Sequence, residues 1–157
     1  MISRRRMFGA LAFLVMIPAA ARAQATGTAD RAAVLAVVRR LFDGMRAGDS
    51  AVVRAQFHPR AILWSALVRN GVPEVRFDSL SEFARAVGTP HPEVWDERIS
   101  NEVVQLDGPV ATVWVDYSFY LGSRFSHCGI DAFQLARSET GWKIVSLADT
   151  RRRDGCK

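Results

Sequence analysis

The sequence predicts an α+β domain in which N-terminal helices pack on the concave face of a cone-shaped, curved antiparallel sheet. Two observations predict it. Apolar residues recur at helical spacing in the first part of the chain, and the period switches to two after the Pro90-His91-Pro92 break. The connectors beyond that break, "DGP", "GSRF" and "SETG", are short, as antiparallel hairpins require.

The elements follow in order. Residues 1–23 run from three arginines, Arg4 to Arg6, through the apolar stretch Met7 to Ala21 to small residues around Ala23, the three parts of a secretory signal peptide. The apolar run is shorter than the roughly 20 residues a spanning helix needs, so no stable membrane span is expected in the mature form. Export to the periplasm or outside the cell is expected, by the general secretory or the twin-arginine route, with one domain over residues 24–157. Asp30 to Ala47 carries Val34, Val37, Val38, Leu41, Phe42 and Met45 at helical spacing. Gly48-Asp49 stops that helix and starts a second, "SAVVRAQF". "AILWSAL" and "PEVRF" read as strands, and "SLSEFARAV" as a third helix with Ser79 as cap and Glu82 three residues on. Four strands complete the chain: Trp95 to Leu106, Val110 to Leu121, His127 to Arg137 and Trp142 to Thr150.

Charge argues against nucleic acid as a partner. The whole chain has 21 Lys+Arg against 16 Asp+Glu, but Arg4, Arg5, Arg6 and Arg22 leave with the signal, so the mature balance is 17 minus 16, or +1. What basic density remains is "TRRRD" near the C-terminus, which reads as a solvated tail with Asp149 placed to pair with it, an anion or acidic-partner contact being the alternative.

Both cysteines, Cys128 and Cys156, lie in the exported part, where oxidising conditions favour a bridge between them. An intermolecular bridge, two reduced thiols, or a weak zinc site with His127 are the alternatives. No metal and no cofactor are expected.

The helix with "LFDGMRAGD", the segment "FHPRAILW", the strand "VATVWVDYSFYLG", then "SHCGIDAFQL" and "GWKIVSLADTRR" resemble the nuclear transport factor 2-like superfamily. Within it they are most similar to small bacterial proteins of the lumazine-binding-like and SnoaL-like kind. The resemblance covers about Asp30 to Cys156. It implies a single internal cavity and frequently a homodimer, but not a ligand, because the superfamily hosts isomerases, dehydratases, cyclases and non-catalytic binding modules.

Candidate site residues come from the hairpin between the second and third of the last four strands. With Gly122 to Phe125 as a four-residue turn, Tyr120 faces His127, Asp116 faces Asp131 and Trp114 faces Phe133, all on one sheet face. Two opposed carboxylates in an apolar cone would repel, leaving one as general acid and the other as base. Asp116, Asp131, His127 and Tyr120 are therefore the catalytic candidates, against the reading that this face is wet and His127 a capping residue. Phe42, Met45, Trp64, Trp95, Trp114 and Phe133 are the candidate pocket walls, with core packing as the alternative for the aromatics.

No nucleophile elbow, phosphate-binding glycine loop, dinucleotide fingerprint or zinc helix occurs. The reading that follows is an exported binding or accessory protein whose apolar pocket takes a small apolar or flat molecule. A cofactor-independent isomerase, dehydratase or cyclase and a dimerising structural module are the alternatives. An inward, dry carboxylate would favour the enzyme over the binder.

Overall fold

The computed structural model describes residues 19–156, with side-chain burial from residue 27 onward. Residues 1–18 of the expected signal segment lie outside the described residues.

Helix α1 (Ala19–Ala47) is longer than the predicted Asp30–Ala47. The added part is rich in alanine, the best helix former, which continues the helix without any apolar face to require it. Farther on, Val34, Val37, Val38, Leu41, Phe42 and Met45 form one buried stripe. Gly48 then takes a positive φ of 67°, and Asp49 caps α2 (Ser50–Gln56) by accepting bonds from the Ala51 and Val52 amides at 2.9 and 3.0 Å.

Strand β1 (Phe57–Arg69) starts directly at the end of α2 and turns at Asn70-Gly71, both at positive φ, into β2 (Val72–Asp78). The third helix, α3 (Leu80–Gly88), carries the expected capping box between Ser79 and Glu82. Strands β3 (Trp95–Asp107), β4 (Val110–Leu121), β5 (Arg124–Ser138) and β6 (Gly141–Thr150) follow as a meander.

The six strands form one curved sheet in the order β2-β1-β6-β5-β4-β3. Every join is antiparallel except β1–β6, which is parallel. No hairpin links those two strands, and the long excursion through α3 lets β6 return in the direction of β1. The inner face meets α1, with Leu63, Leu147, Phe133, Val113 and Val104 lined up across five strands. Arg31 ties α1 to the Val104 carbonyl at 2.6 Å, and Asp30 to Arg137 at 2.7 Å.

The C-terminal segment crosses over β5 just beyond β6. The Cys128 and Arg152 amides and carbonyls exchange two bonds of 2.9 Å, and the Ile130 amide donates to the Thr150 hydroxyl at 3.1 Å. Between them lies Gly129, where an added Cβ would fall 1.8 Å from the Thr150 carbonyl oxygen. Cys128 and Cys156 form a disulfide, which fixes this crossing and takes both thiols out of any zinc site. The bridge closes a loop of 28 residues' separation, so its reduction is expected to destabilise the fold by about 3 kcal/mol in the chain-entropy model. Melting with and without reductant checks this; an unchanged midpoint would contradict it.

Candidate functional site

The hairpin of β4 and β5 turns on two residues, Gly122 and Ser123, not four, so Leu121 pairs with Arg124. A bulge then adds Ser126 on β5, and from Phe119↔His127 onward the register is constant. The net offset from the predicted register is one residue, which turns every β5 side chain to the opposite partner set. Val115, not Asp116, faces Asp131, and Phe119, not Tyr120, faces His127. Trp114 faces Ala132 in place of Phe133. The predicted Asp116–Asp131 pair therefore does not form.

Asp131 points to the inner face and is only 3% exposed. Asp116 points to the outer face and accepts from the Asn101 amide at 2.7 Å. Tyr120 is also on the outer face, under the Arg98 guanidinium at 4.2 Å. Trp114 is 54% exposed there, and Trp64 pairs with Phe77 and Ala148 on the same side. Phe133 is buried in the core, edge-on to Phe42 at 6.1 Å.

Between α1, α3 and the inner sheet face lies a cavity of about 440 Å³. Leu41, Phe42 and Met45 from α1, Phe83 from α3, and Trp95, Phe119 and Leu147 from the sheet give it apolar walls. Its polar floor is built by strand alternation. Ser65, Asp149 and Asp131 stand side by side across β1, β6 and β5, and Tyr117 and His127 follow on the same face. Glu97 enters from β3, opposite Phe119. The predicted wall residues Phe42, Met45 and Trp95 border this cavity, as do Asp131 and His127, and Trp64 borders it between Leu63 and Ser65.

The electrostatics of the floor centre on Glu97 and Asp131, whose side chains are within hydrogen-bonding reach of each other. Burial pushes Glu97 up to about 7, the Asp149 charge adds to this, and the bond to Asp131 and the Arg151 charge oppose it. Burial also raises Asp131 well above the usual carboxylate range, and the Glu97 carboxylate beside it pushes the same way. Two neighbouring carboxyls in a largely dry site do not both ionise easily, so the pair keeps one proton above the ordinary carboxylate range. The buried Asp131 Oδ2 has no hydrogen-bond partner within the protein.

The neighbours are occupied. Asp149 accepts from the Ser65 hydroxyl in a short bond and from Arg151 Nε at 2.7 Å, the pairing expected of the basic tail. The Tyr117 hydroxyl donates to the Thr150 carbonyl at 2.8 Å, and burial holds its pKa above the usual phenol value. His127 stacks at a tilt on Phe119 with ring centroids 5.0 Å apart and contacts Ser126 at 3.0 Å. Burial and the Arg151 charge lower its pKa, so it is a neutral imidazole near pH 7. Among the described residues no cluster of His, Cys, Asp and Glu could hold a metal ion, and no helix is long and apolar enough to cross a membrane.

The shared proton has a consequence for stability. Glu97 and Asp131 bind protons more tightly folded than unfolded, so their contribution is full below about pH 4 and is lost as pH rises through 7. The melting temperature of the empty protein is therefore expected to fall between about pH 5 and 8, and Asp131→Asn to flatten that decline, with a gain on the order of 1 kcal/mol at pH 8. Calorimetry of both proteins across this range checks it. A wild-type curve that rises over the same interval would contradict it.

With this geometry in view, similarity to known proteins places the chain. Residues 29–148 match the profile of the family described as "Putative lumazine-binding". The chain belongs to this family. Solved structures agree on its nuclear transport factor 2-like fold. An NTF2-like protein with a cystatin-like fold from Novosphingobium aromaticivorans aligns with TM-score 0.69 at 13% identity, covering 86% of this chain and 89% of that one. An NTF2-like protein of unknown function from Shewanella baltica aligns at 0.64 and 19% identity, over 81% and 97% of the two chains. A protein from Streptomyces avermitilis titled "putative dehydratase from the NTF2-like family" aligns at 0.60 and 16% identity, over 80% and 97%. Among curated proteins, none matches this lumazine-binding-like chain in sequence.

Glu97, Asp149, Arg151, Ser65 and Tyr117 are the floor residues that sequence reasoning did not select. One signal for Glu97 was available: in "WDERI" it falls between Trp95 and Ile99, on the apolar phase of a strand with period two.

Proposed function

We propose that this protein binds a small molecule with an apolar body and a polar group, the body between the α1 stripe and the sheet and the polar group on the Glu97–Asp131 floor. The observation that carries this reading is the cavity of about 440 Å³, within the size range of small-molecule sites and apolar except at one end. The family description agrees with it. Mass spectrometry under native conditions, on protein purified from its own cell envelope, tests it. A retained small molecule lost on mutating Phe42 or Leu41 to a bulkier residue such as tryptophan is the expected result. A protein that carries no ligand and binds none from an envelope extract would count against it.

One observation favours a second reading, in which the bound molecule also exchanges a proton with the protein, as a cofactor-independent isomerase, dehydratase or cyclase. Asp131 is an inward, dry carboxyl beside a second carboxylate, an arrangement suited to accepting and returning one proton near neutral pH. In this reading Asp131 and Glu97 are the catalytic residues, and Asp116 and Tyr120 on the outer face take no direct part.

The mature unit in this account is residues 24–157, exported as a single domain, with which the Cys128–Cys156 disulfide is consistent. It forms a homodimer through the outer sheet face, where Ile62, Val103 and Trp114 are each more than half exposed. The subunit number in the same spectra tests the dimer; a monomer at micromolar concentration would exclude it.

A further inference from the structure

The charges around the cavity do not cancel, and the excess has one sign. Its two guanidinium groups are already engaged, Arg151 by Asp149 at 2.7 Å and Arg76 by Asp78 at 3.2 Å. His127 on β5 is neutral near pH 7, and the Tyr117 phenol on β4 keeps its proton. Glu82 on α3 holds its charge at the cavity wall, bonded to Ser79. That leaves the Glu97–Asp131 pair, which carries one net negative charge while it shares a proton and two without it. An ammonium offers this pair a positive charge and two or three donors, according to whether it is secondary or primary; an anion meets only repulsion. The walls agree, because Trp95, Phe119 and Phe42 present aromatic surface next to an acidic floor.

We infer that the ligand of this cavity is a primary or secondary amine on an apolar, preferably aromatic skeleton, bound as its ammonium with Glu97 and Asp131 as receptors. The inference rests on the small-molecule reading above and specifies the ligand's charge. Asp131 Oδ2, buried and without a hydrogen-bond partner, is the acceptor that the ammonium satisfies. The ligand's N–H takes the place of the pair's shared proton, which leaves to solvent; no covalent bond is made or broken in the ligand. Affinity therefore rises with pH until the pair has lost its proton, and binding near pH 6 releases a proton.

Three compounds with one skeleton test the inference: 2-naphthylmethylamine, 2-naphthylmethanol and 2-naphthoate, titrated calorimetrically at pH 6 and 8 in buffers of differing ionisation enthalpy. The amine is expected to bind at least about tenfold more tightly than the alcohol at pH 8, the naphthoate more weakly than both, with proton release at pH 6 for the amine alone. Asp131→Asn should remove the amine's advantage over the alcohol; Glu97→Gln serves the same purpose if the first variant folds poorly. Alcohol binding equal to or tighter than the amine's, or an amine advantage unchanged in a folded variant, overturns this inference and leaves the small-molecule reading standing. Binding of none of the three by folded protein counts against both.

Discussion

Replacing Gly129 by alanine is expected to cost about 3 kcal/mol or more and, in a domain of ordinary marginal stability, to leave little folded protein. The Cβ would meet the Thr150 carbonyl oxygen at 1.8 Å and the Tyr117 ring at 2.7 Å. Neither neighbour is free to withdraw. The Thr150 carbonyl accepts from the Tyr117 hydroxyl, the Thr150 hydroxyl accepts from Ile130, and the next turn of chain is tied to Cys128 by two backbone bonds and the disulfide. Relief requires lifting the C-terminal segment off β5, which also displaces Asp149 and Arg151 from the cavity floor. Chemical denaturation of the variant checks the cost, and a loss under 1 kcal/mol would mean that the crossing is looser than described.

Phe42→Ala is the second large effect, at about 3 to 5 kcal/mol for a buried large-to-small change. Phe42 is 4% exposed and packs edge-on against Phe133, so its removal leaves both a void and an unpaired ring. It also borders the cavity, so the void joins existing space and the structure has little incentive to collapse into it. Denaturant midpoints for Phe42→Ala and Phe42→Leu give the test. A cost below 1 kcal/mol for alanine would show that α1 does not close the cavity as the structure has it.

Much of the fold is legible in the sequence because its elements are punctuated locally. Gly48-Asp49 breaks α1 from α2, Ser79 and Glu82 start α3, and the meander strands come within a few residues of their predicted bounds. The parallel β1–β6 join had no such mark, since it depends on contacts between the two ends of the chain. The candidate site was less legible for a related reason. Its key geometry hangs on a single residue of register, and the bulge at Ser126 has no strong sequence signature. The carboxyl beside Asp131 is Glu97 from β3 and not the expected Asp116 from β4, and its approach requires β3, β4 and β5 to be assembled. The cysteine and glycine of "SHCGID" serve the chain crossing, the aspartate serves the cavity, and these functions separate only once the tail's path is known.

Carbon-detected NMR of the aspartate and glutamate carboxyls across pH 3 to 10 tests the shared proton most directly. The wild-type pair is expected to lose its last proton well above the ordinary carboxylate range of about 4, with the Glu97 resonance moving near pH 7 and the Asp131 resonance also well above its ordinary value. In Asp131→Asn the Glu97 resonance should stay raised, because burial is the main cause of its shift and the bond to Asp131 opposes that shift. Titration of both wild-type groups near 4 would contradict the account: the cavity floor would then be an ordinary wet cluster of charges, without a proton held between Glu97 and Asp131.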